Sequence, residues 1–149
     1  MPYYEDFEVG QKATGFGRTI TDGMATVLIN VGGFVAPFFN DETVANLTPL
    51  GWRALPGRLI FALMGGLVEQ MPFLNRPPGI GILVGANNVK WKIPLKVGDT
   101  VHLEIEIVEL SETKNRKWGR IIDKETLINQ KGEVVCEADI VHLFEHKPT

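Results

Sequence analysis

The stretch 57–70 (GRLIFALMGGLVEQ) restricts the fold more than any other part of the chain, because its apolar residues surround the helix axis instead of lining one stripe. A helix apolar on all sides must be buried on all sides. The ten residues from Leu59 to Val68 are all apolar or glycine, whereas a membrane-spanning helix needs about 20. The sequence therefore predicts a core helix. Everything downstream reads as antiparallel strand, which gives an α+β arrangement, a sheet wrapped around one central buried helix.

Composition narrows the possibilities. With 149 residues, 44% of them hydrophobic and 22% charged, and no low-complexity stretch, the chain is expected to form one domain over 1–149. A formal charge of -3 excludes a broad basic surface for nucleic acid. The one basic cluster, 114–120 (KNRKWGR), suffices only to meet the phosphates of a small molecule. The single cysteine, Cys136, has no partner for a disulfide or a metal; it falls on the apolar phase of a strand, where inert packing is expected. No metal or resident cofactor is predicted. The opening residues (MPYYEDFEVG) carry acid where a signal peptide carries positive charge and an apolar run, which predicts a cytoplasmic location without a membrane anchor.

Along the chain, a first strand is expected over 12–20. A helix follows Thr21-Asp22, with Met24, Val27, Leu28 and Val31 as its apolar positions, and stops at Gly32-Gly33. Residues 34–56 form a long excursion with a short helix at 41–47, expected to lie as a lid over the site. Pro56-Gly57 opens the central helix, and prolines 72, 77 and 78 end it. Strands are expected at 80–95, 101–108 and 118–129, then over a last segment in which Val134, Cys136, Ala138, Ile140, His142 and Phe144 share a face. In the second of these, Leu103, Ile105 and Ile107 alternate with His102, Glu104 and Glu106, so one face is wet. The count is about five strands.

Four segments then resemble the MaoC-like dehydratases of the hotdog fold in order and spacing: 4–11 (YEDFEVGQ), 17–21 (GRTIT), 88–100 (NVKWKIPLKVGDT) and 129–135 (NQKGEVV). The resemblance covers nearly the whole chain. It implies hydration of a trans-2-enoyl thioester, or the reverse, and a dimer whose edge strands pair. It also implies a lid motif, G-D-x-N-P-x-H, whose aspartate and histidine form an acid/base pair around the attacking water. A glycine amide at the helix start holds the thioester oxygen. With Pro37 and Asp41-Glu42 as anchors, the matching segment here is 33–39 (GFVAPFF), so Phe34 and Phe39 occupy the aspartate and histidine positions and Ala36 the asparagine. Neither ring transfers a proton. Pro56-Gly57 stands where the family has histidine-glycine.

The remaining catalytic candidates are Asp22, Asp41 and Glu42, each with a structural alternative as a helix-start carboxylate. The expected substrate-binding set is Gly57 through its backbone amide, Arg58 and Arg53 as charges, and Phe34, Phe39 and Asn40 from the lid. Arg58 is placed where a cation opposes the helix dipole, which points either to a ligand anion or to a salt bridge with Asp41 or Glu42. The lid side chains Phe34, Val35, Phe38, Phe39, Leu50 and Trp52 either line an acyl tunnel or plug it. Glu69 lies about 18 Å along the helix from Gly57 at 1.5 Å per residue and is set aside as a nucleophile. His102 and His146 are expected in solvent, His142 as a satisfied interior or interface histidine. Asn87-Asn88 either line the site mouth or satisfy backbone near Gly85. The resemblance carries two functions: an acyl-thioester (enoyl-CoA) hydratase or dehydratase, or a non-catalytic hotdog subunit. The second would bind an acyl-CoA or acyl-carrier thioester and support a motif-bearing paralogue in a heteromer.

Overall fold

Residues 2–74 and 81–148 are described by the computed structural model. Two short strands come first, β1 (Lys12–Thr14) and β2 (Arg18–Thr19), followed by α1 (Asp22–Val31) and two single-turn helices, α2 (Pro37–Asn40) and α3 (Glu42–Ala45). Then come the long helix α4 (Gly57–Leu67) and four long strands, β3 (Gly81–Trp91), β4 (Thr100–Glu112), β5 (Trp118–Asn129) and β6 (Val134–Glu145). All pair antiparallel in one sheet of order β1-β4-β5-β6-β3, with β2 also on β4. Among the described residues no helix is long and apolar enough to cross a membrane.

Strand alternation builds the inner face. Val101, Leu103, Ile105 and Ile107 of β4, Ile121 and Leu127 of β5, and Ala138 and Ile140 of β6 are buried there. Onto this face α4 lays Ile60, Leu63, Met64 and Leu67, the i, i+3, i+4, i+7 set of one helical side. Burial on every side, as the sequence predicts, is corrected by the other side of α4, where Arg58, Ala62, Gly65 and Gly66 are exposed. That side reads as apolar only because it is made of small residues. It runs along the open edge of the sheet beside β3, whose Ile82, Leu83, Val84 and Trp91 are exposed as well. In α1 the inward residues are Ala25 and Ile29, whereas Val27 and Val31 face outward, so the buried face is rotated from the predicted one.

Other boundaries depart from expectation for local reasons. The strand predicted over 12–20 is two strands, because the Phe16 N–H leaves the ladder and donates to Gln70 Oε1 at 2.8 Å. Gly15 permits this approach; a Cβ there would stand 2.9 Å from the same oxygen. The sheet therefore has six strands instead of about five. Helix α4 gives way after Leu67 to a 3-10 turn, Val68–Gln70, and Pro72 follows. Prolines 77 and 78 and the predicted strand start at Ile80 lie outside the described residues. Strand β3 ends at Trp91, short of residue 95, with register shifts between Leu83 and Gly85 and between Asn87 and Lys90. In the second, Asn88 takes a φ of 51° and its amide donates to Asp139 Oδ2 at 2.6 Å, so this asparagine holds a bulge.

Met64 is fully buried between α4 and the sheet. Met64→Ala should lower unfolding free energy by about 2–5 kcal/mol, measured by urea denaturation.

Candidate functional site

The start of α4 is open by construction. Pro56 stands at the N-cap and its side chain makes no capping bond. The amides of Leu59 and Ile60 both reach the Pro56 carbonyl. The N–H groups of Gly57 and Arg58 have no acceptor among the described residues. They sit at the positive end of the helix dipole. Trp91, at the end of β3, donates from Nε1 to the Gly57 carbonyl at 2.7 Å. A Cβ at Gly57 would lie 3.1 Å from that indole nitrogen, a tight contact that glycine avoids. Beside these groups is a cavity of about 290 Å³ lined by Leu55, Gly57, Ile60, Trp91, Lys92 and Ile93, among others. A carbonyl oxygen or an anion fits such an end.

The lid lies apart from it. Phe34 and Phe39 meet edge to face at 6.1 Å, Phe38 tilts over Phe39 at 4.2 Å, and Phe34 and Phe39 pack on the main core. The Asn40 amide donates to the carbonyls of Phe34 at 2.8 Å and Ala36 at 3.2 Å, so it braces the lid backbone. Phe34 and Asn40 border a separate cavity of about 280 Å³ with Ile29, Asn30, Gly33 and Val35. Phe34 and Asn40 thus border one cavity and Gly57 another.

The charged candidates are mostly committed elsewhere. Arg53 Nη2 donates to Asp22 Oδ1, and its Nε lies 4.0 Å from Glu42 Oε2. Asp41 caps α3, accepting from the Thr43 and Val44 amides and from the Thr43 hydroxyl. These bonds hold its carboxyl below the usual range, the hydroxyl contributing most. Asp22 and Arg53 are thus paired with each other, Thr21 and not Asp22 caps α1, and Asp41 caps α3. The salt bridge considered for Arg58 goes to Arg53 instead: Arg58 is exposed and makes no ion pair among the described residues.

A second group of polar residues was not picked out from the sequence. On the inner face of β5, Asp123 and Glu125 are 0% and 3% exposed, among aliphatic neighbours. His142 Nδ1 pairs with Asp123 Oδ2 at 2.8 Å, the satisfied interior histidine that was expected, while Asp123 Oδ1 is buried without a partner. Burial raises the Asp123 carboxyl against the pull of His142. Glu125 is pushed up to about 8, first by burial and then by the Asp123 charge. The sequence signal is partial: 121, 123, 125 and 127 are in phase on one strand, but alternation alone does not mark that face as the inner one.

Two other residues complete the polar inventory. His146 is not solvated as expected; it bridges Glu5 at 2.6 Å and Glu112 at 3.2 Å, and the bond to Glu5 raises its pKa. Cys136 is fully buried with its thiol pushed up to about 11 by burial, consistent with an inert core residue. Among the described residues no three His, Cys, Asp or Glu side chains are grouped to hold a metal ion.

The family described as FAS1-like, dehydratase domain region, matches residues 9–138. The chain belongs to this family, among the MaoC-like hotdog dehydratases. It is similar to a 3-hydroxyacyl-[acyl-carrier-protein] dehydratase FabZ of Protochlamydia amoebophila, 38% identical over 62% of this chain and only 56% of that relative's length. It is also similar to an (R)-specific enoyl-CoA hydratase of Rhodospirillum rubrum, 24% identical over 93% of this chain and 89% of the relative. A solved monoamine oxidase regulatory protein of Archaeoglobus fulgidus superposes with a TM-score of 0.89 at 27% identity, over 99% of this chain and 96% of its own.

In this dehydratase-family chain Glu125 should make stability fall as pH rises. Its folded pKa, about 8, lies above the ordinary 4.5, so between these values the folded state binds the extra proton. The corresponding stability is complete below 4.5 and lost as pH rises to 8. Chemical denaturation across that range should show a steeper decline for wild type than for Glu125→Gln, the difference amounting to several kcal/mol.

Proposed function

We propose that the chain binds an acyl thioester of the enoyl-CoA or 3-hydroxyacyl kind with its carbonyl oxygen at the Gly57 and Arg58 amides. The observation that carries this reading is the open start of α4, where the Gly57 and Arg58 N–H groups have no acceptor among the described residues and Gly57 borders a cavity at the positive end of the helix. A preorganised donor of this sort is worth about 3 kcal/mol to a developing oxyanion. Arg58, exposed and free of ion pairs among the described residues, supplies charge for a carrier phosphate. The relatives, named as hydratases and dehydratases of CoA and carrier-protein thioesters, support the same substrate class.

The chemistry at that oxygen is hydration or dehydration in the family's manner, slow in the isolated chain. Phe34 and Phe39 supply no proton, and Asp22 and Asp41 are engaged in an ion pair and a helix cap. Positioned acid/base groups contribute about 10²–10⁴-fold. A partner then completes the protein: a second copy, or a paralogue that carries the acid/base pair, seated on β3. The exposed Ile82, Leu83, Val84 and Trp91 on that edge support such a contact. The assembly works in the cytoplasm, where Cys136 stays reduced.

Purified protein should hydrate crotonyl-CoA at least 100-fold more slowly than an ordinary enzymatic rate of about 10 s⁻¹, and Phe34→Asp with Phe39→His should raise the rate only if the lid retains the family's path to the thioester. Turnover near the ordinary rate would show that other groups do the work. In calorimetric titrations with acyl-CoA, Arg58→Ala should weaken binding severalfold; equal affinity would remove Arg58 from the site. Light scattering at micromolar concentration should give a mass above that of the 16.5 kDa monomer.

A further inference from the structure

Three polar side chains on β5 interrupt the inner face of the sheet, and they differ in how they are satisfied. Asn129 is bonded throughout: Oδ1 accepts from the Lys131 and Glu133 amides and Nδ2 donates to Glu133 Oε2, all within the turn before β6. Asp123 has His142. Glu125 is 3% exposed and its carboxyl has no hydrogen-bond partner among the described residues. Burial without a partner costs stability that leucine at the same place would not. What Glu125 faces is a cavity of about 330 Å³, bordered by Phe61, Ala62 and Gly65 of α4, Leu83 of β3, and Ile140 and His142 of β6. Its size is at the small end of the range for ligand pockets, about 300–1,000 Å³.

The cavity is aligned with the helix start. Gly57, Phe61 and Gly65 follow one another at four-residue intervals, so they share one side of α4. Phe61 is about 6 Å from Gly57 along the axis and Gly65 about 12 Å, at 1.5 Å per residue. Phe61 and Gly65, which border the cavity at Glu125, thus follow Gly57 along one side of the helix.

We propose that this cavity receives the distal end of the acyl group and that Glu125 and His142 hydrogen-bond an uncharged oxygen there, which makes medium-length acyl thioesters with a distal hydroxyl the preferred ligands. The inference rests on the acyl-thioester reading above. The pairing with Asp123 occupies Nδ1 of His142, which leaves Nε2 for a ligand. Near neutrality Glu125 is in its acid form, so it both donates and accepts. A hydroxyl also does both, and so satisfies the two groups together. A methyl end would leave the carboxyl unpaired, and a carboxylate end would meet Glu69 and Glu125, which both border the cavity.

The experiment is calorimetric titration of the full chain at pH 7 with hexanoyl-CoA, octanoyl-CoA, their terminally hydroxylated counterparts and adipoyl-CoA. The hydroxylated member of at least one pair should bind about tenfold more tightly, the effect of one good buried hydrogen bond, and adipoyl-CoA more weakly than hexanoyl-CoA. Glu125→Leu should abolish the preference while binding the plain chains at least as well, and Glu125→Gln should keep part of it. Plain chains bound as tightly as hydroxylated ones, tighter binding of adipoyl-CoA, or a preference surviving in Glu125→Leu would overturn this inference and leave thioester binding intact. Binding of none of the probes by wild type would overturn both. Should Glu125→Leu fail to fold, the wild-type series and Glu125→Gln decide.

Discussion

Four side chains of α4, Ile60, Leu63, Met64 and Leu67, cover the inner face of the sheet, and each contributes about 1.5–3 kcal/mol when fully buried. The other elements are placed with respect to that contact. Strands β4, β5 and β6 supply the facing aliphatic layer, Leu55 and Met71 close the same core from either end of the helix, and Ile20 and Ile29 bring α1 against it. Because the contact takes only one side of α4, the opposite side is left along the edge strand, and both the open amides at Gly57 and the cavity at Glu125 border that uncovered side. The geometry of burial thus decides where a ligand can lie.

The distribution of polar groups divides the molecule into bonded and unbonded parts. Near the lid, Asp22, Asp41, Asn40 and Arg53 spend most of their hydrogen-bonding capacity on one another or on nearby backbone, with the buried Arg53 Nε left over. Along the open side of α4, the Gly57 and Arg58 amides and the Glu125 carboxyl find no acceptor or donor among the described residues. Unsatisfied capacity in enclosed places is what recognition of a polar ligand requires. The aromatic segment 34–39 is packed by its own ring contacts and braced by the Asn40 amide.

Elements with strong periodicity were legible in the sequence. The central helix, the strand 118–129 and the inward phase of the last strand follow from alternation and from turn residues, which act locally. Features set by distant partners were not. The break between β1 and β2 depends on Gln70, 54 residues from Phe16, and the Asp22 pairing depends on Arg53, 31 residues away. The outer side of α4 was misread because alanine and glycine score as apolar while occupying too little volume to require cover. At the site, the helix start was readable from Pro56-Gly57, since its chemistry belongs to the backbone. Asp123 and Glu125 were not legible as buried, because both faces of β5 mix aliphatic and polar residues, Ile121 and Leu127 on one and Ile122, Lys124 and Ile128 on the other, so alternation does not say which is the inner face.

Aliphatic contacts are nondirectional, so a helix seated mainly by Ile60, Leu63, Met64 and Leu67 has little in those contacts to stop it from sliding or turning by a fraction of a residue against a smooth sheet. Two hydrogen bonds resist that motion. Trp91 grips the first carbonyl of α4, and Gln70, just beyond its last turn, reaches back to the Phe16 amide. One pin sits at each end of the barrel of the helix, and they tie it to opposite margins of the sheet, β3 on one side and the β1–β2 break on the other. The bearing surface is greased, but the axle is keyed at both ends, and the direction in which the Gly57 amide points is set by that keying.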